Sequence, residues 1–221
     1  NPDTGRTVFG YDPAGNMTRK ITADLAAKGK AIRYHYDHNR LTQIDYPFMD
    51  DVYYTYGDTG SGYNRAGRVY KTANGTVSEE LYFGKLGETV KTVRTINDGD
   101  TTSTYTTKYA FDNLGRMRTL TYPDGEILTY SYGKGGLLKS AVGETSSGRK
   151  VYLEDMKYDE CGQRTYMKYG NGAESTYTYE PVMRRLTNLK TTSAEGKTVQ
   201  NITYSYDEVG NILSRRNSEF N

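Results

Sequence analysis

Apolar and polar residues alternate with a period of two along much of this chain. Because successive side chains of a β-strand point to opposite faces, such alternation predicts strands that carry their rings on one face. No apolar period of 3.6 residues, the mark of an amphipathic helix, accompanies it. The clearest alternating sets are Ile32/Tyr34/Tyr36, Val52/Tyr54/Tyr56, Tyr105/Thr107/Tyr109/Phe111, Leu128/Tyr130/Tyr132 and Ile202/Tyr204/Tyr206.

Each alternating stretch ends in a short motif that recurs along the chain. The motif is Tyr-Asp or a close relative, followed by Gly, then Asn or Arg, then an apolar residue; we call its opening aromatic residue the anchor. The mean spacing of about 24 residues fits two strands and two turns. The best copies are Tyr11–Met17, Phe111–Met117, Tyr158–Arg164 and Tyr206–Ile212. Weaker copies have anchors at Tyr36, Tyr56, Tyr82, Tyr132 and Tyr179.

The motif has the chemistry of a tight hairpin turn. An Asp side chain can accept hydrogen bonds from backbone amides two residues on, and the later Gly can adopt a positive φ. After the turn, apolar positions fall at +0, +3 and +5, as in Leu41, Ile44 and Tyr46. This break in the alternation predicts a β-bulge. A second turn then follows, at Tyr122–Gly125 for example.

The predicted fold is therefore all-β: a long, curved antiparallel meander of about nine hairpins. The segment Ile21–Lys30 is the only stretch that also suits a helix. Its three alanines fit a single helical turn, but an elongated hairpin loop fits equally well.

Composition narrows the class of protein. The 221 residues include 23 Tyr, 24 Gly and no Trp, and 13% are aromatic. Such a chain is expected to be ordered, with a core built on Tyr rings rather than on aliphatic side chains. A net charge of +2 and a mean hydropathy of −0.82 argue against binding to nucleic acid and against a membrane span. The single Cys161 excludes an internal disulfide.

This repeat resembles the YD repeats of the Rhs family, shared with the C components of bacterial Tc toxins, wall-associated contact-inhibition proteins and teneurins. The similarity extends from about Phe9 to about Arg216 and is weakest from Asp58 to Ser103. The residues that carry it are Tyr11–Met17, Phe111–Gly125, Tyr158–Gly172 and Tyr206–Ile212.

The resemblance implies a structural function. YD repeats of the Rhs and Tc type wind into a hollow β-shell that encloses a toxic C-terminal domain. Residues 1–221 are then expected to be one repeat region, an arc cut from the shell of a longer bacterial protein that is secreted or at the cell surface. The partners implied are the remainder of that shell and the enclosed C-terminal domain. Family members cleave themselves at paired Asp-Pro-x-Gly blocks, but Asp12–Gly15 stands alone, and we interpret it as a turn.

No catalytic, cofactor-binding or metal site is predicted, and we expect no enzymatic activity. His35 and His38 lie on one hairpin without a Cys cluster or a distant catalytic partner. Cys161 has acidic neighbours, Asp159 and Glu160, which disfavour a reactive thiolate. The recurring Asp residues are expected to serve their own turns instead of converging on calcium. They are Asp12, Asp37, Asp112, Asp159 and Asp207.

An alternative function remains open at this stage. Rows of Tyr rings with polar tips also suit a module that binds cell-surface carbohydrate or a protein partner. Known glucan- and choline-binding repeats of similar length use Trp heavily, and this chain has none. We also expect the isolated chain to self-associate, most simply as a two-fold dimer, because an arc of sheet has raw edge strands.

Overall fold

The computed structural model describes residues 5–219, so residues 1–4, 220 and 221 of the predicted repeat region lie outside it. The chain divides into two compact units, Asn1–Tyr109 and Ala110–Asn221. Each unit is a meander in which consecutive strands pair antiparallel. The prediction of an all-β antiparallel meander is confirmed.

The first unit contains nine strands and one short helix. The strands are β1 (Val8–Tyr11), β2 (Met17–Ile21), β3 (Ile32–Asp37), β4 (Arg40–Asp45), β5 (Val52–Tyr56), β6 (Val69–Ala73), β7 (Val77–Phe83), β8 (Thr89–Asn97) and β9 (Thr102–Phe111). The helix is α1 (Ala23–Ala27).

The second unit contains nine further strands. They are β10 (Met117–Thr121), β11 (Ile127–Tyr132), β12 (Leu138–Thr145), β13 (Gly148–Tyr158), β14 (Arg164–Tyr169), β15 (Glu174–Tyr179), β16 (Leu186–Thr192), β17 (Thr198–Tyr206) and β18 (Ile212–Asn217).

Nine strands end at or directly after an anchor, which confirms the predicted repeat. One anchor was placed wrongly by a single residue. Phe83, and not Tyr82, ends β7 and pairs with Thr89 across the turn. Local sequence favoured Tyr82 because Tyr is the usual residue, whereas the anchor is defined by its pairing across the hairpin.

The predicted bulge lies directly after the turn at eight of the anchors. Tyr132 pairs with Leu138, but Ser131 pairs with Ser140, so Lys139 is an extra residue on the returning strand. The same shift occurs at seven other anchors, namely Tyr11, Tyr36, Tyr56, Phe83, Tyr158, Tyr179 and Tyr206. One extra residue restores the alternation from +3 onward, which explains the +0/+3/+5 pattern.

The segment Ile21–Lys30 forms the single helical turn. The Thr22 hydroxyl accepts a hydrogen bond from the Leu25 amide at 3.4 Å, and Leu25 is buried. Gly29 follows with a φ of +63°, the usual end of a short helix. Local capping and one buried leucine therefore favour helix over an open loop here.

The prediction of a Tyr core without aliphatic residues is wrong. The buried apolar residues of the described chain are all aliphatic: Leu25, Ala31, Ile44, Leu128, Ala141, Leu153 and Ile202. Most anchor and face tyrosines are only half-buried. A Tyr hydroxyl must keep a polar partner, so its ring tends to flank the buried centre of the sheet and not to fill it.

The alternation itself holds. Strand β3 is half-buried at Ile32, Tyr34 and Tyr36 and exposed at the residues between them, and β5, β11 and β17 behave similarly. Tyr105 on β9 is the exception, because its side chain is exposed.

Candidate functional site: the turn edge

The Asp of each well-formed repeat organises its own turn. Asp207 Oδ1 accepts the Asn211 amide at 2.7 Å, and its Oδ2 accepts the Asn211 side-chain amide at 2.8 Å. Gly210 completes the turn with a φ of +96°. Asp12, Asp112 and Asp159 accept the equivalent backbone amide, four residues on, and a second amide two residues on. The predicted role of these carboxylates in turns is confirmed.

Asp37 departs from this pattern. Its turn has only two residues between the strands, His38 and Asn39, both with positive φ. Asp37 instead contacts Arg40 at 3.2 Å and His38 Nδ1 at 2.6 Å. A two-residue loop needs no side-chain acceptor to close it, because both central residues take the left-handed conformation.

A second set of contacts ties each turn to the turn of the next repeat. It comes from the turn-exit residue, which we define as the residue directly before the anchor's partner across the hairpin. Arg185 is an example, with Nη1 donating to Asp207 O at 2.6 Å and Nη2 to Glu208 O at 2.9 Å. Equivalent hydrogen bonds run from Asn16 to Asn39 Oδ1, Arg68 to Gly87 O and Gln163 to Arg184 O.

Four tyrosine anchors form a second set of hydrogen bonds between successive repeats. Each Tyr hydroxyl in this set donates to the backbone carbonyl of the residue opposite the preceding anchor. The four bonds are Tyr36 to Met17, Tyr132 to Met117, Tyr179 to Arg164 and Tyr206 to Leu186, at 2.7–3.0 Å. Loss of hydration is the largest cause that raises the pKa of Tyr36 and of Tyr179 above the usual value.

Arginines at the turn exit also stack on the next anchor. Arg116 lies 4.6 Å from the Tyr132 ring centroid, and Arg40 lies 5.0 Å from that of Tyr56. Together with the hydrogen bonds, this stacking makes each repeat depend on its neighbour, the arrangement of a repeat array. The sequence shows Asn or Arg recurring after the Gly, and that recurrence was the available signal for this role.

The two histidines form no site. His35 is exposed on β3, and His38 is exposed in the following turn with Asp37 as its neighbour. Within residues 5–219, no group of three or more His, Cys, Asp or Glu side chains is arranged to hold a metal ion.

Cys161 has a neighbour that its local sequence does not show. Arg184 Nη2 lies 2.7 Å from the exposed Cys161 sulfur and 2.7 Å from Glu160 Oε1. These contacts raise the pKa of the Arg184 guanidinium further. The argument from acidic neighbours alone was therefore incomplete, because the next turn supplies a cation. That Cys161 is an inert turn residue stays a prediction.

The known proteins that are similar to this chain are subunits and structures of Tc toxins. No family model matches the chain. Over 115 residues, 49% of its length, it is 30% identical to toxin subunit YenC1 of Yersinia entomophaga. Over 122 residues it is 32% identical to toxin subunit YenC2 of the same organism. The chain spans only 12% and 13% of these relatives.

Solved structures with the same fold cover nearly the whole chain. A TcdB2–TccC3 crystal structure matches 98% of it with a TM-score of 0.81 and 24% identity. The Photorhabdus luminescens Tc holotoxin pore gives the same TM-score over 98% of the chain. The chain is thus similar in sequence to Tc toxin subunits over about half of its length and has the fold of the Tc toxin structures over nearly all of it. It spans about one eighth of the matched chains, 12% and 11% of their length. Among the residues that the structure describes, no helix has the length and apolar character needed to cross a membrane.

Removing the hydrogen bonds of one turn-exit residue should weaken the second unit. We expect Arg185→Gln to lower the free energy of unfolding by about 1–2 kcal/mol, because two charge-assisted hydrogen bonds to carbonyls are lost. Urea denaturation followed by circular dichroism measures this change. Arg215→Gln, at an exposed position on β18, is the matched control. An equal effect of both variants would show that the hydrogen bonds of Arg185 add nothing to stability beyond the effect of its charge.

The turns closed by Asp side chains should also make stability sensitive to acid. Hydrogen bonds from Asn211, the side-chain amide first, hold the pKa of Asp207 below its ordinary value of 3.8. The stabilisation from this carboxylate is therefore present above about pH 4 and lost as the pH falls through the lower, folded-state pKa. Between pH 7 and pH 3, Tm should fall less for Asp207→Asn than for the unmodified chain.

The control for this experiment is Asp100→Asn. Asp100 lies in the loop between β8 and β9, where its neighbour Asp98 is the side chain that accepts the turn amides. If Asp100→Asn reduces the acid sensitivity as much as Asp207→Asn does, the turn hydrogen bonds are not its cause.

Proposed function

We propose that the chain is a non-catalytic stretch of wall in an Rhs/Tc-type β-shell. In the longer parent protein this shell would enclose, or present, a C-terminal toxin or effector domain. The observation that carries the proposal is the match to the TcdB2–TccC3 fold over 98% of the chain. The relationship to two toxin subunits supports the same function.

The use of the side chains supports a wall and not a catalyst. The turn Asp residues are committed to backbone amides, and the turn-exit arginines bind neighbouring carbonyls. The anchor hydroxyls are likewise committed to carbonyls. Groups that are held this way maintain the alignment of successive hairpins, and they are not available for proton transfer or nucleophilic attack.

The proposal extends to the partners and the location of the parent. Residues 1–221 would be one continuous YD-repeat region, joined to the remainder of the same shell. One matched structure is described as TcdB2–TccC3 without its hypervariable C-terminal region. By analogy, the parent would carry its own variable C-terminal domain and would act outside the cell, secreted or at the surface.

The test is electron cryo-microscopy of the parent protein, combined with limited proteolysis. We expect a hollow particle with this segment as part of its wall and a C-terminal domain that resists protease while the shell is intact. A particle without an internal space, or a C-terminal domain that is digested at the same rate as when it is isolated, would contradict the proposal.

The isolated chain should self-associate through its terminal strands. Strand β1 pairs with β2, and its Val8 and Phe9 are exposed. Leu213 on β18 is exposed as well. Exposed apolar side chains on the terminal strands favour association, so sedimentation velocity should show a dimer whose fraction rises with concentration.

Adding charge to these strands tests the mode of association. Val8→Lys combined with Leu213→Lys should reduce the dimer fraction if the terminal strands associate, whereas Leu114→Lys, in a turn, should not. A compact monomer at every concentration would refute self-association.

A further inference from the structure

The turn between Tyr56 and Val69 carries an inserted loop. Its base is closed like the other turns, with the Gly57 amide donating to Arg68 O at 3.0 Å. The Gly67 amide also donates to Gly57 O, at 2.8 Å. Residues 58–66 are therefore an addition to a complete turn and are not needed to connect β5 with β6.

The inserted loop is docked on the next hairpin. Asn64 Nδ2 donates to Gly84 O at 2.7 Å, and Arg65 Nε donates to Leu81 O at 2.9 Å. Tyr63 and Asn64 hold φ values of +59° and +52°, which cost a residue other than glycine roughly 1 kcal/mol each. Strained residues persist where surrounding contacts hold them, and they concentrate at binding sites.

The loop and the sheet line a solvent-open cavity of about 370 Å³. This volume is within the range of about 300–1,000 Å³ that is typical of small-molecule sites. Its polar and aromatic lining consists of Thr55, Tyr56, Asp58, Ser61, Tyr63, Arg65 and Tyr70. Tyr63 is 60% exposed, and its ring makes an edge-to-face contact with Tyr82 at a centroid distance of 4.9 Å.

The charges around the cavity disfavour an ionic ligand. The Arg65 guanidinium lies 4.4 Å from the Tyr70 ring centroid and 4.0 Å from that of Tyr82, and it contacts Glu80 at 3.7 Å. Lys91 is 3.5 Å from the Tyr82 centroid. These cations of the chain itself occupy the ring faces that a cationic ligand would use. The Asp58 carboxylate in turn disfavours an anion.

We propose that this cavity binds one neutral pyranose, the terminal sugar of a glycan. The apolar C–H face of the sugar ring would stack on Tyr63, as flat apolar surfaces do on aromatic rings. Its hydroxyls would donate to Asp58 and exchange hydrogen bonds with Ser61. A carboxylate, a hydroxyl and an exposed ring thus supply the acceptor, the donor and the platform that a polyhydroxylated ligand requires. This binding is independent of the proposed role as a shell wall.

The experiment is saturation-transfer NMR on the complete chain. The probes are the methyl pyranosides of glucose, galactose and N-acetylglucosamine, each at millimolar concentration. At least one probe should receive saturation from the protein. Its affinity should fall about tenfold with Tyr63→Ala and with Asp58→Asn, whereas Tyr63→Phe should retain most of it. The matched control is Tyr11→Ala, which removes a ring that is 62% exposed at another turn.

Circular dichroism and urea denaturation identify a variant whose loop has unfolded, and Asp58→Asn leaves the docked Tyr63–Arg65 segment intact. Binding that is unchanged in both Asp58→Asn and Tyr63→Ala overturns the proposal, as does an equal loss with Tyr11→Ala. Absence of saturation transfer to all three probes also overturns it.

Discussion

Replacing Leu153 with alanine should lower the free energy of unfolding by about 2–5 kcal/mol. Leu153 is only 6% exposed and forms a buried cluster with Leu128 and Ala141 in the second unit. Truncation removes buried apolar atoms and leaves a cavity, which a sheet pinned by ladders of hydrogen bonds cannot easily close. Thermal unfolding should show a decrease in Tm of roughly 2–4 °C for each kcal/mol lost.

The matched control is Leu114→Ala. Leu114 lies in the turn after Phe111 and is 76% exposed, so its truncation should change stability by less than about 0.5 kcal/mol. Equal effects of the two substitutions would mean that the Leu128–Ala141–Leu153 cluster is not the core of the second unit.

Substituting Gly170 with alanine should destabilise the chain by about 3 kcal/mol, the upper end of the usual cost of overpacking. The φ of Gly170 is not in the left-handed region, so the destabilisation by alanine at this position is purely steric. A Cβ atom at this position would overlap the backbone carbonyl oxygen of Val151. The Gly170 amide also donates to Tyr152 O at 3.1 Å, so the two strands cannot separate without losing this bond.

Gly135→Ala separates this clash from the general effect of losing a glycine. A Cβ at Gly135 meets nothing within 4 Å, and its φ is not in the left-handed region. Alanine there should be neutral or slightly stabilising, because it restricts the unfolded chain. Urea denaturation of both variants measures the difference, and a Gly170→Ala variant as stable as Gly135→Ala would contradict the close approach seen in the structure.

The local sequence determined the strands, the turns and the bulges of this protein. Alternation places Tyr34 and Tyr36 on one face, and Asp207 with Gly210 closes a turn through contacts that span four residues at most. The bulge follows from the +0/+3/+5 phase within one strand. These features depend on backbone stereochemistry and on short-range hydrogen bonds, so a sequence pattern is enough to predict them.

Only the tertiary structure decided which residues of different repeats meet. The contacts between Arg185 and Asp207 and between Cys161 and Arg184 join residues more than twenty positions apart. The anchor role of Phe83 depends on its pairing with Thr89, and the docking of Arg65 on Leu81 brings a loop onto the next hairpin. Such contacts are set by the register of strands against one another, and the residues within a single turn carry no information about that register.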